Sequence, residues 1–310
     1  MRLEESVGFR VELAATLDIP ASLELFRSNG DDLLDRWDGA MLTRTLRAGD
    51  TVIPYTATNV GSVAAPALLV KTPSIEDHEA VEAAIHATFL PPPPSYVALL
   101  LADPVVAALD ARFPGRRTVR QFDLFAALIR CVSAQQVNLR WATTTRRRLA
   151  ATFGDRHMLD GHAVYSLNPT RVARADVAEL RALQFTTRKA EYIIASAEAI
   201  ASGTLDLATL AELPDDEVIA RLTAIRGVGR WTAEWILART LGRPVVVAGD
   251  LGVRKGIGRY YLSLPPKAPL PSEEETRQAV AHWGESANIA QTLLLAGITS
   301  SDGITPGVTG

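Results

Sequence analysis

Residues Leu222–Ile236 read LTAIRGVGRWTAEWI, and this stretch decides the fold. Just upstream, Asp215-Asp216-Glu217 supplies the anionic opening of a helix, and Val218, Ile219, Leu222 and Ile225 give that helix one apolar stripe. Gly227-Val228-Gly229 then permits an abrupt reversal, because glycine accepts positive φ without a Cβ penalty. A second helix follows at once, with Ala233, Ile236 and Leu237 facing inward. Two short helices joined in this way form a helix-hairpin-helix. The first amides of the second helix have no intrahelical partner and carry the positive end of its dipole. The bare backbone at Gly227 and Gly229 lets a phosphate reach them, and Arg226 and Arg230 flank the turn. The partner implied is a nucleic-acid backbone, held without sequence readout. A tight helical corner with an incidental G-x-G is the bland alternative. Both apolar stripes, the two arginines and the continuation Thr232-Ala233 favour phosphate binding.

Downstream, Pro244-Val245-Val246-Val247-Ala248-Gly249-Asp250 carries an apolar run into the core and delivers Asp250 immediately before another helix. Asp250 reads first as an N-cap, a role worth ~1 kcal/mol. A single carboxylate near a DNA-backbone site also suits chemistry that builds positive charge on a sugar. Breaking an N-glycosidic bond does this, and an anion stabilises that state and orients or deprotonates a water. The two roles are compatible, since capping fixes the carboxylate in place.

The chain has 310 residues, 47% of them hydrophobic and 22% charged, an ordinary globular balance. Its net charge of −3 hides an acidic first 90 residues, with 7 basic against 14 acidic side chains, and a basic stretch at 111–150, with 9 against one. The one cysteine, Cys131, excludes a disulfide framework, a Cys-based zinc site and a four-Cys iron–sulfur cluster. Its apolar surroundings suggest a buried, inert thiol. The five histidines show no metal-ligand spacing, so no metal site is expected. No apolar run is long enough for a membrane helix, and the acidic N-terminus is a poor signal peptide. The expectation is a cytoplasmic protein, nucleoid-associated in a bacterium, with no membrane partner and no obligate protein partner.

Pro91-Pro92-Pro93-Pro94 marks a boundary, because four prolines cannot continue a helix. Residues 1–90 read as a small α+β domain. Strands are expected at Met41–Leu46, Thr51–Ala57 and Ala65–Lys71, and helices near Ile19–Ser28 and His78–Phe89. Residues 91–300 read as almost entirely helical, with the helix-hairpin-helix at about 215–241. A frayed tail is expected over 301–310. The Arg146-Arg147-Arg148 cluster reads either as a phosphate patch or as a solvated helix face.

Gly227–Gly229 with Asp250 resembles the helix-hairpin-helix/Gly-Pro/Asp superfamily of DNA glycosylases, and within it the AlkA-type 3-methyladenine glycosylases. Further support comes from Asp123-Leu124-Phe125 leading to Ser133-Ala134-Gln135-Gln136-Val137, similar to the family's GQQVS-type loop, and from Thr187-Arg188-Lys189-Ala190. The resemblance implies a mainly α fold: a two-lobed helical domain preceded by a small α+β, TATA-binding-protein-like domain. It implies base flipping. Gly227, Gly229, Arg230 and Thr232 would hold DNA, Gln136 would fill the emptied stack, and Asp250 would be catalytic. Trp231 and Trp235, one helical turn apart, match pocket aromatics that attract cationic alkylated bases. The substrate implied is double-stranded DNA containing alkylated bases. No cofactor is implied beyond a monovalent cation held by hairpin carbonyls. Bifunctional members carry a nucleophilic lysine where this chain has Trp231, so a monofunctional hydrolase is expected. The family's Pro-Trp pair before the last helix is replaced by Trp283-Gly284-Glu285-Ser286, with Ser286 at the second tryptophan's place. That departure suggests a wider cleft. The rival readings are a same-fold glycosylase for oxidised or mismatched bases and a non-catalytic DNA-binding module.

Overall fold

The structure is a computed structural model that describes residues 6–49, 51–265 and 267–299. The tail expected from Ser301 lies outside the described residues. The chain opens with strand β1 (Val7–Glu12), helix α1 (Ile19–Leu23), then β2 (Arg36–Trp37), β3 (Met41–Ala48), β4 (Thr51–Asn59), β5 (Ala67–Thr72) and α2 (His78–Thr88). The strands form an antiparallel sheet in the order β1-β5-β4-β3-β2. Leu42, Tyr55, Leu68 and Val70 from the sheet meet Val81 and Ile85 from α2 in one core. Val119, from beyond the prolines, completes that core and pairs with Phe89.

Helices then dominate: α3 (Tyr96–Ala102), α4 (Pro104–Arg112), α5 (Leu124–Ala134) and α6 (Leu139–Phe153). Residues 91–300 are expected to be almost entirely helical; the exception is β6 (Gly154–Leu159) and β7 (His162–Leu167), an antiparallel hairpin in a stretch to which the sequence assigns no helix. Its two-residue turn is Asp160-Gly161, both at positive φ. Asp-Gly between alternating apolar residues is the strongest short hairpin signal, and here it outweighs the helical surroundings. The hairpin ties the helical part to the N-terminal sheet region: Tyr165 N–H donates to Leu33 O at 2.9 Å and Lys71 Nζ bonds Asp160 at 2.7 Å.

Next come α7 (Pro169–Ala173), α8 (Val177–Ala182), α9 (Thr187–Ala201), α10 (Leu207–Glu212), α11 (Asp215–Thr223), α12 (Arg230–Ile236), α13 (Leu251–Tyr260), α14 (Glu273–Ala279) and α15 (Ala287–Thr299). A π-helical turn, Leu237–Leu241, extends α12. The fold is mainly helical with a small N-terminal sheet, as expected. Helix α5 is the hub. Phe125, Ile129 and Val132 face α6 and α9, while Leu124, Ala127 and Leu128 face α11 and α12. A third core gathers Val253 and Ile257 of α13 with Leu293 and Leu294 of α15. Among the described residues no helix is long and apolar enough to cross a membrane.

Candidate active site

The hairpin forms as its sequence dictates, but its two glycines have different reasons. Gly227 sits at φ +87°, and a Cβ there would stand 2.0 Å from the Tyr192 ring of α9. Its bareness serves packing. Gly229 has an ordinary φ of −97°, and a Cβ on it would meet nothing within 4 Å. The open approach to the helix therefore lies at Gly229. As N-cap of α12, Gly229 offers no side-chain cap, so the opening amides of the helix receive none.

The flanking arginines are exposed but tethered. Arg226 Nη2 lies 2.7 Å from Glu191, and Arg230 Nε donates to Glu234 at 2.9 Å. Glu234 is buried and also accepts from Arg277 Nη2 at 2.7 Å, which ties the hairpin to α14. Thr232 is only 1% exposed, so its hydroxyl cannot face a ligand at the surface. The expectation that Thr232 holds phosphate is restricted to its backbone amide.

Asp250 is the N-cap of α13. Its Oδ1 accepts from Gly252 N at 2.8 Å and Val253 N at 3.1 Å. Oδ2 has no hydrogen-bond partner among the described residues. Oδ1 thus fixes the orientation of the carboxylate at the start of α13. The run into Asp250 is pinned by α15. Buried Gln291 accepts from Val247 N and donates to Val245 O, and Asn288 donates to the carbonyls of Gly242 and Arg243. Behind the site, burial draws the pKa of Arg239 down to about 10, with the Asp250 carboxylate opposing that shift. The Cys131 thiol is pushed up by burial and stays protonated.

Trp231 stands against the backbone that leads to Asp250: a Cβ on Gly249 would lie 3.2 Å from Trp231 Cβ. Trp235, half-buried, packs on the core shared by α5, α11 and α12. Ser286 is buried at 1% exposure, with its Oγ unpartnered. A buried serine forms no open wall, so the widened cleft expected from Ser286 does not follow from its place. Trp283 is a core residue whose Nε1 donates to Asp103 at 3.2 Å.

Residues 136–141 are exposed, and Gln136 has φ +53°. The loop base is held three ways. Lys189 Nζ donates to Ser133 O at 2.8 Å, Arg146 Nη1 donates to Ser133 Oγ at 3.0 Å, and Gln135 Nε2 donates to Gly227 O at 3.2 Å. Arg146 is buried against Asp32, which also binds Arg130 at 2.8 Å. Burial favours the neutral form of Asp32, but the two guanidiniums prevail and its pKa lies below the ordinary carboxylate value. The Arg146-Arg147-Arg148 cluster is therefore no single phosphate patch. Arg146 braces the loop, Arg147 pairs with Asp31, and Arg148 bonds Gln184. The positioning bonds of Arg146, Gln291 and Asn288 carry no motif in the sequence, and the Thr187–Ala190 stretch that contains Lys189 does not reveal its bond to Ser133.

A family model, the HhH-GPD superfamily base excision DNA repair protein, matches residues 129–285. The chain is 35% identical over 186 residues to the DNA-3-methyladenine glycosylase of Bacillus subtilis, covering 59% of this chain and 60% of that protein. It is 33% identical over 163 residues to DNA-3-methyladenine glycosylase 1 of Schizosaccharomyces pombe, covering 52% of this chain and 67% of that one. The chain spans between about half and two thirds of the length of these curated relatives. Its fold is similar to a 3-methyladenine DNA-glycosylase from Archaeoglobus fulgidus, with TM-score 0.80 and 24% identity over 93% of this chain and 97% of that one. The matched region contains the Gln136 loop, the hairpin and Asp250 together, and by that match the chain belongs to the HhH-GPD superfamily of base excision DNA repair proteins.

Proposed function

We propose that this chain is a monofunctional DNA glycosylase that hydrolyses the N-glycosidic bond of alkylated bases, 3-methyladenine-type lesions, in duplex DNA, as the first step of base excision repair. The observation that carries the reading is Asp250, held by Oδ1 with no hydrogen-bond partner on Oδ2 among the described residues, one residue beyond a glycine packed on Trp231. The resemblance to relatives named for this activity supports the substrate class.

The open turn at Gly229 would receive a backbone phosphate on the first amides of α12. Gln136 would occupy the space left by the flipped nucleotide. Trp231 offers a π-face to a cationic base. As the C1′–N bond breaks, its electron pair leaves with the base, and the alkylated cation departs neutral. Positive charge develops on the sugar, where the Asp250 carboxylate stabilises it. Water then bonds to C1′ through oxygen and yields its proton to Oδ2. No lysine occupies the Trp231 position, which supports hydrolysis without a Schiff base.

A monovalent cation at the hairpin belongs to the same proposal. Residues 224–229 offer backbone carbonyls and no carboxylate, a donor set suited to a singly charged ion. The Ile225, Gly227 and Gly229 carbonyls already accept from Val228 N, Gln135 Nε2 and Ala233 N, so the candidate ligands are the carbonyls of Ala224, Arg226 and Val228. Such an ion would add positive charge beside a bound phosphate.

The test is release of free base from alkylated duplex DNA, compared with DNA carrying oxidised or mismatched bases. Release of methylated purines supports the reading. Release from the oxidised or mismatched substrates alone reassigns the lesion class, and release from none of them leaves a silent DNA-binding module.

A further inference from the structure

The Gln136 loop runs directly into α6, and that helix carries a surface the chemistry above does not use. Arg140, Thr144 and Arg147 recur at helical spacing on one face. They form one wall of a groove of about 380 Å3. The segment from Arg27 to Asp31, in the N-terminal domain, forms the other wall. The groove therefore lies at the seam between the domains, beside the loop that would enter DNA.

Its charge is lopsided. Three arginines line it against the single carboxylate of Asp31. Asp31 is already matched, by Arg36 at 2.8 Å and Arg147 at 3.3 Å. Arg27 pairs with Glu24 and remains 54% exposed. Arg140 is exposed and makes no ion pair among the described residues. At the helix start, Leu139 and Trp141 are 53% and 38% exposed. Leu139, and Trp141 with the Arg148 guanidinium 5.5 Å over its ring, are part-exposed apolar groups beside basic side chains, which suit a partner with both a phosphate edge and an apolar interior.

We propose that this groove seats a backbone phosphate of the DNA strand opposite the one held at the hairpin, with Arg140 as its main ligand and Arg27 as its second. The N-terminal domain then takes a direct part in DNA binding. The proposal rests on the reading of the chain as a DNA glycosylase. Its geometric basis is that two sites flank one loop. Gln135 bonds the hairpin at Gly227, whereas α6 leads from the other end of the same loop to the groove. A duplex opened over Gln136 would bring its two strands to these two sites. An arginine fork matches a phosphate and reads no base, so the contact positions the duplex without adding sequence preference.

The experiment uses the full chain, Arg140→Gln, and Arg27→Gln with Arg140→Gln, on a duplex containing one abasic-site analogue. Affinity is measured by anisotropy between about 50 and 300 mM salt, and phosphate contacts are mapped by ethylation interference on each strand. Each lost phosphate contact reduces the slope of log K against log salt by about 0.9. A drop of about one for Arg140→Gln and a larger one for the double variant are expected, with interference lost on the strand opposite the lesion. Wild-type slope and affinity in the folded variants, or loss of interference on the lesion strand only, would overturn the groove. Absence of duplex binding by the wild-type chain would instead overturn the reading on which the groove rests.

Discussion

Gln135 Nε2 donates to the carbonyl of Gly227 at 3.2 Å, so the loop carrying Gln136 is tied directly to the helix-hairpin-helix turn. The element that would enter the base stack and the element that would grip the backbone are held in one register. Removing this bond with Gln135→Ala is expected to slow single-turnover excision about 2- to 10-fold, the range of one net hydrogen bond. DNA affinity should change less than the rate. An unchanged rate would show that the two elements act independently.

The two hairpin glycines are expected to separate on substitution. Gly227→Ala places a Cβ into the Tyr192 ring at positive φ, and should cost several kcal/mol of stability. Gly229→Ala meets open space, and should cost about 0.5–1 kcal/mol as a poorer N-cap. If phosphate approaches at Gly229, that mild variant still loses duplex affinity at fixed salt. Thermal unfolding and anisotropy on the same preparations decide it, and unchanged affinity in Gly229→Ala would count against a phosphate there.

Much of this was legible in the sequence, and what was not has physical causes. The hairpin and Asp250 are local signals: a Gly-x-Gly reversal between two stripes, and an acid before a helix. The β6–β7 hairpin was also legible in Asp160-Gly161, but the helical patterns on both sides masked it. The partners of Gly227 were not legible, since the Tyr192 ring arrives from another helix. Nor were Lys189 and Arg146, whose bonds to Ser133 join positions 56 and 13 residues apart. An arginine triplet looks the same in sequence whether it is solvated or, as at Arg146, buried on a carboxylate.

Asp32 supplies the expected pH dependence of stability. Its pKa is lower folded than unfolded, so its contribution is complete above the ordinary carboxylate value of 3.8. That contribution is lost as pH falls further, towards the depressed folded value. Asp32→Ala leaves the buried Arg146 without a carboxylate, while Arg130 keeps Asp35 at 2.7 Å, and should cost about 3 kcal/mol at neutral pH. Denaturant unfolding from pH 7 downward should show a shallower acid loss in the variant than in the wild type. Parallel curves would remove Asp32 as the acid-sensitive group.

Borohydride is not expected to trap a protein–DNA adduct in proportion to turnover. Trp231 provides no amine, and Lys189, whose pKa is lowered by burial, is engaged with the Ser133 carbonyl. Efficient trapping, lost in Lys189→Gln or Lys255→Gln, would identify a nucleophile and overturn the monofunctional reading.

Asp250→Asn isolates the central claim, because asparagine caps a helix about as well as aspartate but carries no charge. Stability should change by well under ~1 kcal/mol, and duplex affinity should hold or rise as a repulsion with the backbone disappears. Single-turnover excision of a methylated purine, with enzyme saturating, reads the chemical step alone. A catalytic Asp250 predicts a rate at least ~100-fold below wild type, equivalent to ~2.7 kcal/mol or more in the barrier. A rate above about one tenth of wild type in the folded variant would contradict it and leave Asp250 as a cap.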